Sequence, residues 1–203
     1  MSDPFDAALE VLAAGGVVAA ATETLFGLLA DAGSPSAVAR VAALKPRDDK
    51  AFPLIVSSRD SWAALTLAIP EAASALATAF WPGPLTLAIH ARPGLDSRLV
   101  SAGTVAVRLP AASPAAALVA RFGRPLTATS ANPSGLPPSA DPAVVRRYFA
   151  EAIAAGELFV LDEPAPGGPP STVVVVKGAE IEIAREGAIS ADRVRRAVQG
   201  LAR

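Results

Sequence analysis

The order in which apolar segments follow one another constrains this chain most. Periodicity predicts strands at 17–21, 27–30, 52–56, 85–90, 104–109, 126–129 and 158–161, and a closing pair at 171–176 and 181–184. It predicts helices opening at Asp3-Pro4 and over 36–44, 60–67, 71–80, 113–122, 141–150 and 192–201. Some strands follow each other directly, as at 17–21 and 27–30. The closing pair reads as a hairpin around Lys177-Gly178. Others are separated by a helix. That irregular alternation favours a mixed sheet covered by helices over a strictly parallel doubly wound fold.

Punctuation supports these boundaries. The first helix repeats Phe5, Ala8, Leu9 and Leu12 at helical spacing and ends at Gly15-Gly16. Ser34 or Ser36 caps the second helix. Pro114 and Pro142 suit first turns, and Asp141 is an N-cap. Pro53 places the start of its strand at an edge. Trp81-Pro82-Gly83-Pro84 is a rigid turn. Residues 163–170 form a Pro/Gly loop just before Ser171, a composition and position that suit a lid.

The 203 residues fit one domain, 1–203, and the 52% apolar content can fill a core of small and branched side chains. With no cysteine and one histidine, neither a disulfide framework nor a zinc site is expected. The net charge of −1 argues against a generally basic nucleic-acid coat, although it leaves a local basic groove open. The acidic first ten residues do not resemble a targeting segment. The apolar run 11–21 is too short to span a bilayer and is broken by glycines. A cytoplasmic protein without a membrane segment is the expectation.

Several polar patches interrupt the apolar pattern. Lys45-Pro46-Arg47 places two cations one residue apart after a helix, which suits a polyphosphate and equally a solvated helix C-terminus. Thr22-Glu23-Thr24 at a strand end can orient a polar ligand or close a capping turn. In Ser130-Ala131-Asn132, Asn132 can meet a ligand edge or close an Asx turn. Arg108 lies in an apolar strand: buried, it requires a carboxylate from protein or ligand; otherwise it points outward. Arg185 carries the same two alternatives. His90 is assigned no catalytic work. There is no Walker A pattern, no G-x-G-x-x-G and no defensible Ser/His/Asp set.

As an ordered set these pieces resemble the YrdC-type threonylcarbamoyl-AMP synthases. The matching segments run from Gly15-Gly16-Val17-Val18 and Thr22-Glu23-Thr24-Leu25-Phe26-Gly27-Leu28 through Lys45-Pro46-Arg47, Pro53-Leu54-Ile55-Val56 and Trp81-Pro82-Gly83-Pro84-Leu85-Thr86. They continue with Thr104-Val105-Ala106-Val107-Arg108-Leu109-Pro110, Ser130-Ala131-Asn132-Pro133-Ser134-Gly135, Ser171-Thr172-Val173-Val174 and Arg185-Glu186-Gly187-Ala188-Ile189. The resemblance is to the short, single-domain form.

It implies a three-layer α/β fold with a twisted mixed sheet and a concave, basic face. It also implies synthesis of threonylcarbamoyl-adenylate and pyrophosphate from L-threonine, bicarbonate and ATP. The product would feed N6-threonylcarbamoyladenosine at position 37 of tRNA through separate transferase proteins. By the same resemblance Lys45, Arg47, Thr104, Asn132, Ala140 and Arg185 would hold ATP. Thr22, Ser57, Arg108, Ser130 and Ser171 would hold threonine. Mg2+ would be bound through phosphates, with no protein ligand and no protein nucleophile.

The chain departs from the family pattern at five places. Ala21 stands for the usual Pro, Phe26 for Tyr, Ser57 for a frequent His, Ala140 for a frequent Thr and Val175 for a frequent acid. These departures bear on activity and on which amino acid is used. A non-catalytic RNA binder using the same face, and a paralogue acting on another amino acid, are the alternative functions. Near-neutral charge and few aromatics count against the RNA binder.

Overall fold

The computed structural model describes residues 3–46 and 51–200. The first third contains α1 (Pro4–Ala13), β1 (Val17–Ala21), β2 (Phe26–Leu29), α2 (Pro35–Leu44), β3 (Leu54–Ile55) and α3 (Arg59–Ala63). Next come α4 (Glu71–Phe80), β4 (Leu85–His90), β5 (Val100–Ser101), β6 (Thr104–Arg108), α5 (Pro114–Phe122), β7 (Leu126–Thr127) and β8 (Thr129–Ser130). The last third holds α6 (Pro142–Tyr148), α7 (Ala150–Ala154), β9 (Leu158–Val160), β10 (Thr172–Lys177), β11 (Glu180–Arg185) and α8 (Ala191–Ala197).

Helix starts follow the expected chemistry. Ser34 Oγ accepts from the Ala37 N–H, Ser113 Oγ from Ala116 and Asp141 Oδ1 from Ala143, each with proline in the following turn. Gly123 closes α5 in the left-handed conformation at φ 75°.

The strands form two mixed sheets. The smaller has the order β8-β2-β1-β9, with β1 antiparallel to β2 and parallel to β9. The larger has the order β11-β10-β4-β6-β3-β7, and β5 pairs with β6. All five residues of β1 are buried, because the strand is covered on both faces. Val18 and Ala20 pack with Ala8 and Leu12 of α1 and Leu118 of α5. Val17, Ala19 and Ala21 face the main core, which includes Leu85, Leu87 and Ile89 of β4, Val105 and Val107 of β6, and Leu76 of α4. Trp62 and Trp81 meet edge to face in that core, with ring centroids 4.8 Å apart.

Several boundaries differ from the periodic pattern. The expected strand 126–129 divides at Ala128: β7 joins β3 in the large sheet, and β8 joins β2 in the small one. The segment therefore crosses between the sheets. The expected helix 60–67 stops at Ala63, because Thr66 bridges Ala91 and Leu65 O accepts from the Arg92 N–H. The expected helix 141–150 breaks at Phe149, whose φ of −121° is not helical, and α7 follows. Strand 52–56 shrinks to two paired residues, although Phe52 and Val56 still donate to the Arg98 and Arg108 carbonyls. The two-residue β5 carried no periodic signal.

Among the described residues no helix is long and apolar enough to cross a membrane.

Candidate active site

A cleft of about 650 Å³ opens where the two sheets meet. That size lies within the roughly 300–1,000 Å³ of small-molecule sites. Its floor is one face of the large sheet, as the period of two along a strand requires. Thr86 and Ala88 of β4, Thr104, Ala106 and Arg108 of β6, and Val173 and Val175 of β10 all line it. The register sets Val175 beside Ala88 and Ala88 beside Ala106, so small side chains leave the space open. The alternate residues of the same strands fill the core behind. The walls come from Thr22, Thr24 and Phe26 at the β1–β2 turn, from Thr129 and Ser130 of β8, and from Pro170, Ser171 and Arg185.

Six of the expected site residues therefore share one hollow: Thr22, Thr104, Arg108, Ser130, Ser171 and Arg185. Arg108 is buried, so the outward-pointing alternative is excluded. Its Nη1 lies 3.3 Å from Glu23 Oε1. Burial lowers its pKa from the ordinary guanidinium value; the Glu23 charge opposes that shift, and the Arg185 charge adds to it. Burial also lowers the pKa of Arg185. Both guanidinium groups remain charged. Arg185 donates from Nε and Nη2 to the Ser171 carbonyl at 3.1 and 2.8 Å. Ser171 Oγ lies 3.0 Å from Thr86 Oγ1. Two cations and one carboxylate at this spot leave a net positive charge that suits an anion.

Lys45 does not sit at a solvated helix end. Lys45 is buried and its ammonium does not enter the cleft lining. Nζ donates to Ser130 O at 2.7 Å, Ser130 Oγ at 2.8 Å and Asn132 Oδ1 at 3.0 Å. Asn132 Nδ2 in turn donates to the Pro133 and Leu136 carbonyls, and Ser134 Oγ donates to Pro46 O at 2.6 Å. Lys45 and Asn132 thus stand behind Ser130 and fix the loop that forms the cleft wall. Arg47 lies outside the described residues.

Thr22 realises the capping alternative while facing the cleft. Its Oγ1 donates to Leu25 O at 2.7 Å and accepts from the Thr24 and Leu25 N–H groups, which closes the turn. Thr104 Oγ1 donates to Ser101 O at 2.8 Å.

Two expected residues are not brought to the cleft. Ser57 is exposed just beyond β3, where the chain turns toward α3. Ala140 is half-buried before α6, with its carbonyl accepting from the Ala165 N–H. Of the five departures from the family pattern, Phe26 and Val175 line the cleft and make its surface more apolar. His90 is exposed, with Nδ1 3.0 Å from Gly103 O.

Sequence reasoning assigned no role to Glu23 or Thr86. Their signals were present: a charge in apolar β6 demanded an opposite one, and Thr86 alternates with Leu85 and Leu87. Among the described residues there is no cluster of three or more metal-ligating side chains.

The Sua5/YciO/YrdC family model, described as telomere recombination, matches residues 10–187. The chain belongs to this family. Threonylcarbamoyl-AMP synthase of Halorhodospira halophila is 40% identical over 158 residues, which cover 75% of this chain and 82% of that one. A putative threonylcarbamoyl-AMP synthase of Mycobacterium tuberculosis is 33% identical over 189 residues, or 92% of this chain and 85% of that one. Among solved structures, Sua5 of P. abyssi complexed with L-threonine has a TM-score of 0.89 and 30% sequence identity. That match covers 98% of this family member but 59% of the Sua5 chain, so the likeness extends over only part of the longer protein.

Proposed function

We propose that this family member is a threonylcarbamoyl-adenylate synthase, using L-threonine, bicarbonate and ATP. The observation that carries the proposal is the convergence of Arg108 and Arg185 with the Thr22, Thr104, Ser130 and Ser171 side chains on one cleft. The names of the curated relatives and the threonine bound by the Sua5 neighbour support the same chemistry.

In this proposal Arg108 receives the threonine carboxylate, with the Thr22, Ser130 and Ser171 hydroxyls beside it. Arg185 and Thr104 face the triphosphate, and Lys45 and Asn132 hold the Ser130 wall in place. The threonine amine forms an N–C bond to bicarbonate with loss of water, giving a carbamate. A carbamate oxygen then attacks the α-phosphorus, the α–β phosphoanhydride bond breaks, and pyrophosphate leaves with the bonding electrons. This sequence needs positioning and charge stabilisation and no protein nucleophile. Mg2+ would be bound through the phosphates. The adenylate would pass to separate transferase proteins that modify adenosine 37 of tRNA.

The test is pyrophosphate release by the purified protein with ATP, threonine and bicarbonate, each omitted in turn. Release that requires all three is the expected result. ATP turnover indifferent to threonine and bicarbonate would refute the proposal.

A further inference from the structure

We infer that Thr86 holds bicarbonate and then the carbamate, its hydroxyl donating a hydrogen bond to the carbamate oxygen that does not attack phosphorus. This rests on the function proposed above for the cleft.

Sheet register carries the placement. A register shift between Val173 and Val174 pairs Arg185, rather than Ala184, with Val173. Val173 pairs in turn with Thr86. One rung beyond the Leu87–Val107 pair, Thr86 stands beside Arg108 of β6. Arg185, Val173, Thr86 and Arg108 therefore form one row across four neighbouring strands, and all four line the cleft. At about 4.8 Å per strand the two arginines are roughly 14 Å apart at the backbone, and both side chains face the same space. Between them Val173 is apolar and Thr86 supplies a hydroxyl. With the threonine carboxylate on Arg108 and the triphosphate on Arg185, the atoms that join the two lie above Thr86. Those atoms are the carbamate.

A count of protons gives the hydroxyl its direction. Thr86 Oγ1 lies 3.0 Å from Ser171 Oγ. Ser171 Oγ also accepts from Arg185 Nη2 at 3.2 Å, and a guanidinium can only donate. The two hydroxyls carry two protons. One is shared between them, and the other has no acceptor among the described residues. Arg185 donates to Ser171, which becomes the stronger donor for it and passes its proton toward Thr86. The spare proton then sits on Thr86, in the row between the two cations, where an anionic oxygen accepts it. Ser171 is fixed for this duty, because its carbonyl also accepts from Arg185 Nε and Nη2 at 3.1 and 2.8 Å.

Pyrophosphate release by the intact protein tests the inference, with bicarbonate varied at saturating ATP and threonine. Threonine affinity is measured separately by calorimetry without added bicarbonate. Thr86→Val, which keeps the shape, should raise the bicarbonate KM by about 10- to 150-fold, the range for a hydrogen bond to a charged group. It should leave threonine affinity in place. Thr86→Ala is a second deletion expected to do the same, and Thr86→Ser, which keeps the hydroxyl, should recover most of the loss. An unchanged bicarbonate KM in both deletions puts the spare proton on Ser171, which overturns the inference and leaves the proposed function standing. Threonine affinity that falls in step with bicarbonate KM also overturns it, as does a folded Thr86→Ser no better than Thr86→Val. A wild type whose pyrophosphate release ignores bicarbonate overturns the proposed function and this inference together.

Discussion

Replacing Lys45 with methionine separates a strut from a ligand-binding cation. Methionine matches the length of the lysine stem and removes the ammonium. Ser130 O and Asn132 Oδ1 then lose donors at 2.7 and 3.0 Å, and Ser130 Oγ loses one at 2.8 Å. Leaving a buried acceptor unmet costs about 1–3 kcal/mol, and charged donors lie at the upper end. Removing the lysine also relieves the desolvation of its own charge. The net loss is about 2–4 kcal/mol, which lowers the melting temperature by roughly 5–10 °C for a chain of this size. The assay is thermal unfolding without ligand, followed by circular dichroism. A cation free to grip phosphate would give the opposite pattern: unchanged melting of the ligand-free protein and lost ATP affinity. A variant that melts within about 1 °C of the wild type would refute the strut.

Two further perturbations test other parts of the structure. At Gly187 an added Cβ would sit 2.1 Å from Pro170 O and 2.8 Å from Ser171 C, both backbone atoms that cannot swing aside. Gly187→Ala should cost at least about 1–3 kcal/mol, seen as a lower urea midpoint, and an unchanged midpoint would contradict that close approach. Elsewhere, the Arg98 hydrogen bond holds the Asp96 carboxyl below its ordinary value of 3.8, with burial opposing. Because the folded value is depressed, the stabilisation is present above 3.8 and is lost as pH falls through the folded value. Asp96→Asn should therefore cost about 1 kcal/mol at neutral pH, with Arg98 partly screened by solvent, and almost nothing in strong acid. A pH-independent gap between the two urea midpoints would show that the pair is not the cause.

Local rules made much of the fold legible. The Ser34, Ser113 and Asp141 caps, each followed closely by proline, mark helix starts by satisfying backbone N–H groups from within a few residues. The hairpin of β10 and β11 around Lys177-Gly178 is equally local. What escaped was set at long range. Ala128 divides one apolar run between two sheets because its neighbours pair with β3 on one side and β2 on the other. Phe149 interrupts a helical pattern with no glycine or proline to announce it.

For the cleft, residue types were readable and their duties were not. An arginine in the apolar strand β6 required a carboxylate, but only the fold supplies Glu23, 85 positions away. Lys45 reads in the sequence as a phosphate ligand, and only the fold shows that its ammonium donates to the loop 85 residues downstream. Ser57 and Ala140 take family positions by order alone, with residue types that depart from the pattern, and neither lines the hollow that gathers the others.

From its amino acids alone, this chain was bound to build a helix-covered mixed sheet and to place a few polar groups at strand ends. Periodicity and capping act over a handful of residues. Which of those groups face a common hollow, and which are consumed in holding it open, was decided by packing two sheets against each other. Contacts between residues more than eighty positions apart leave no trace in local spacing.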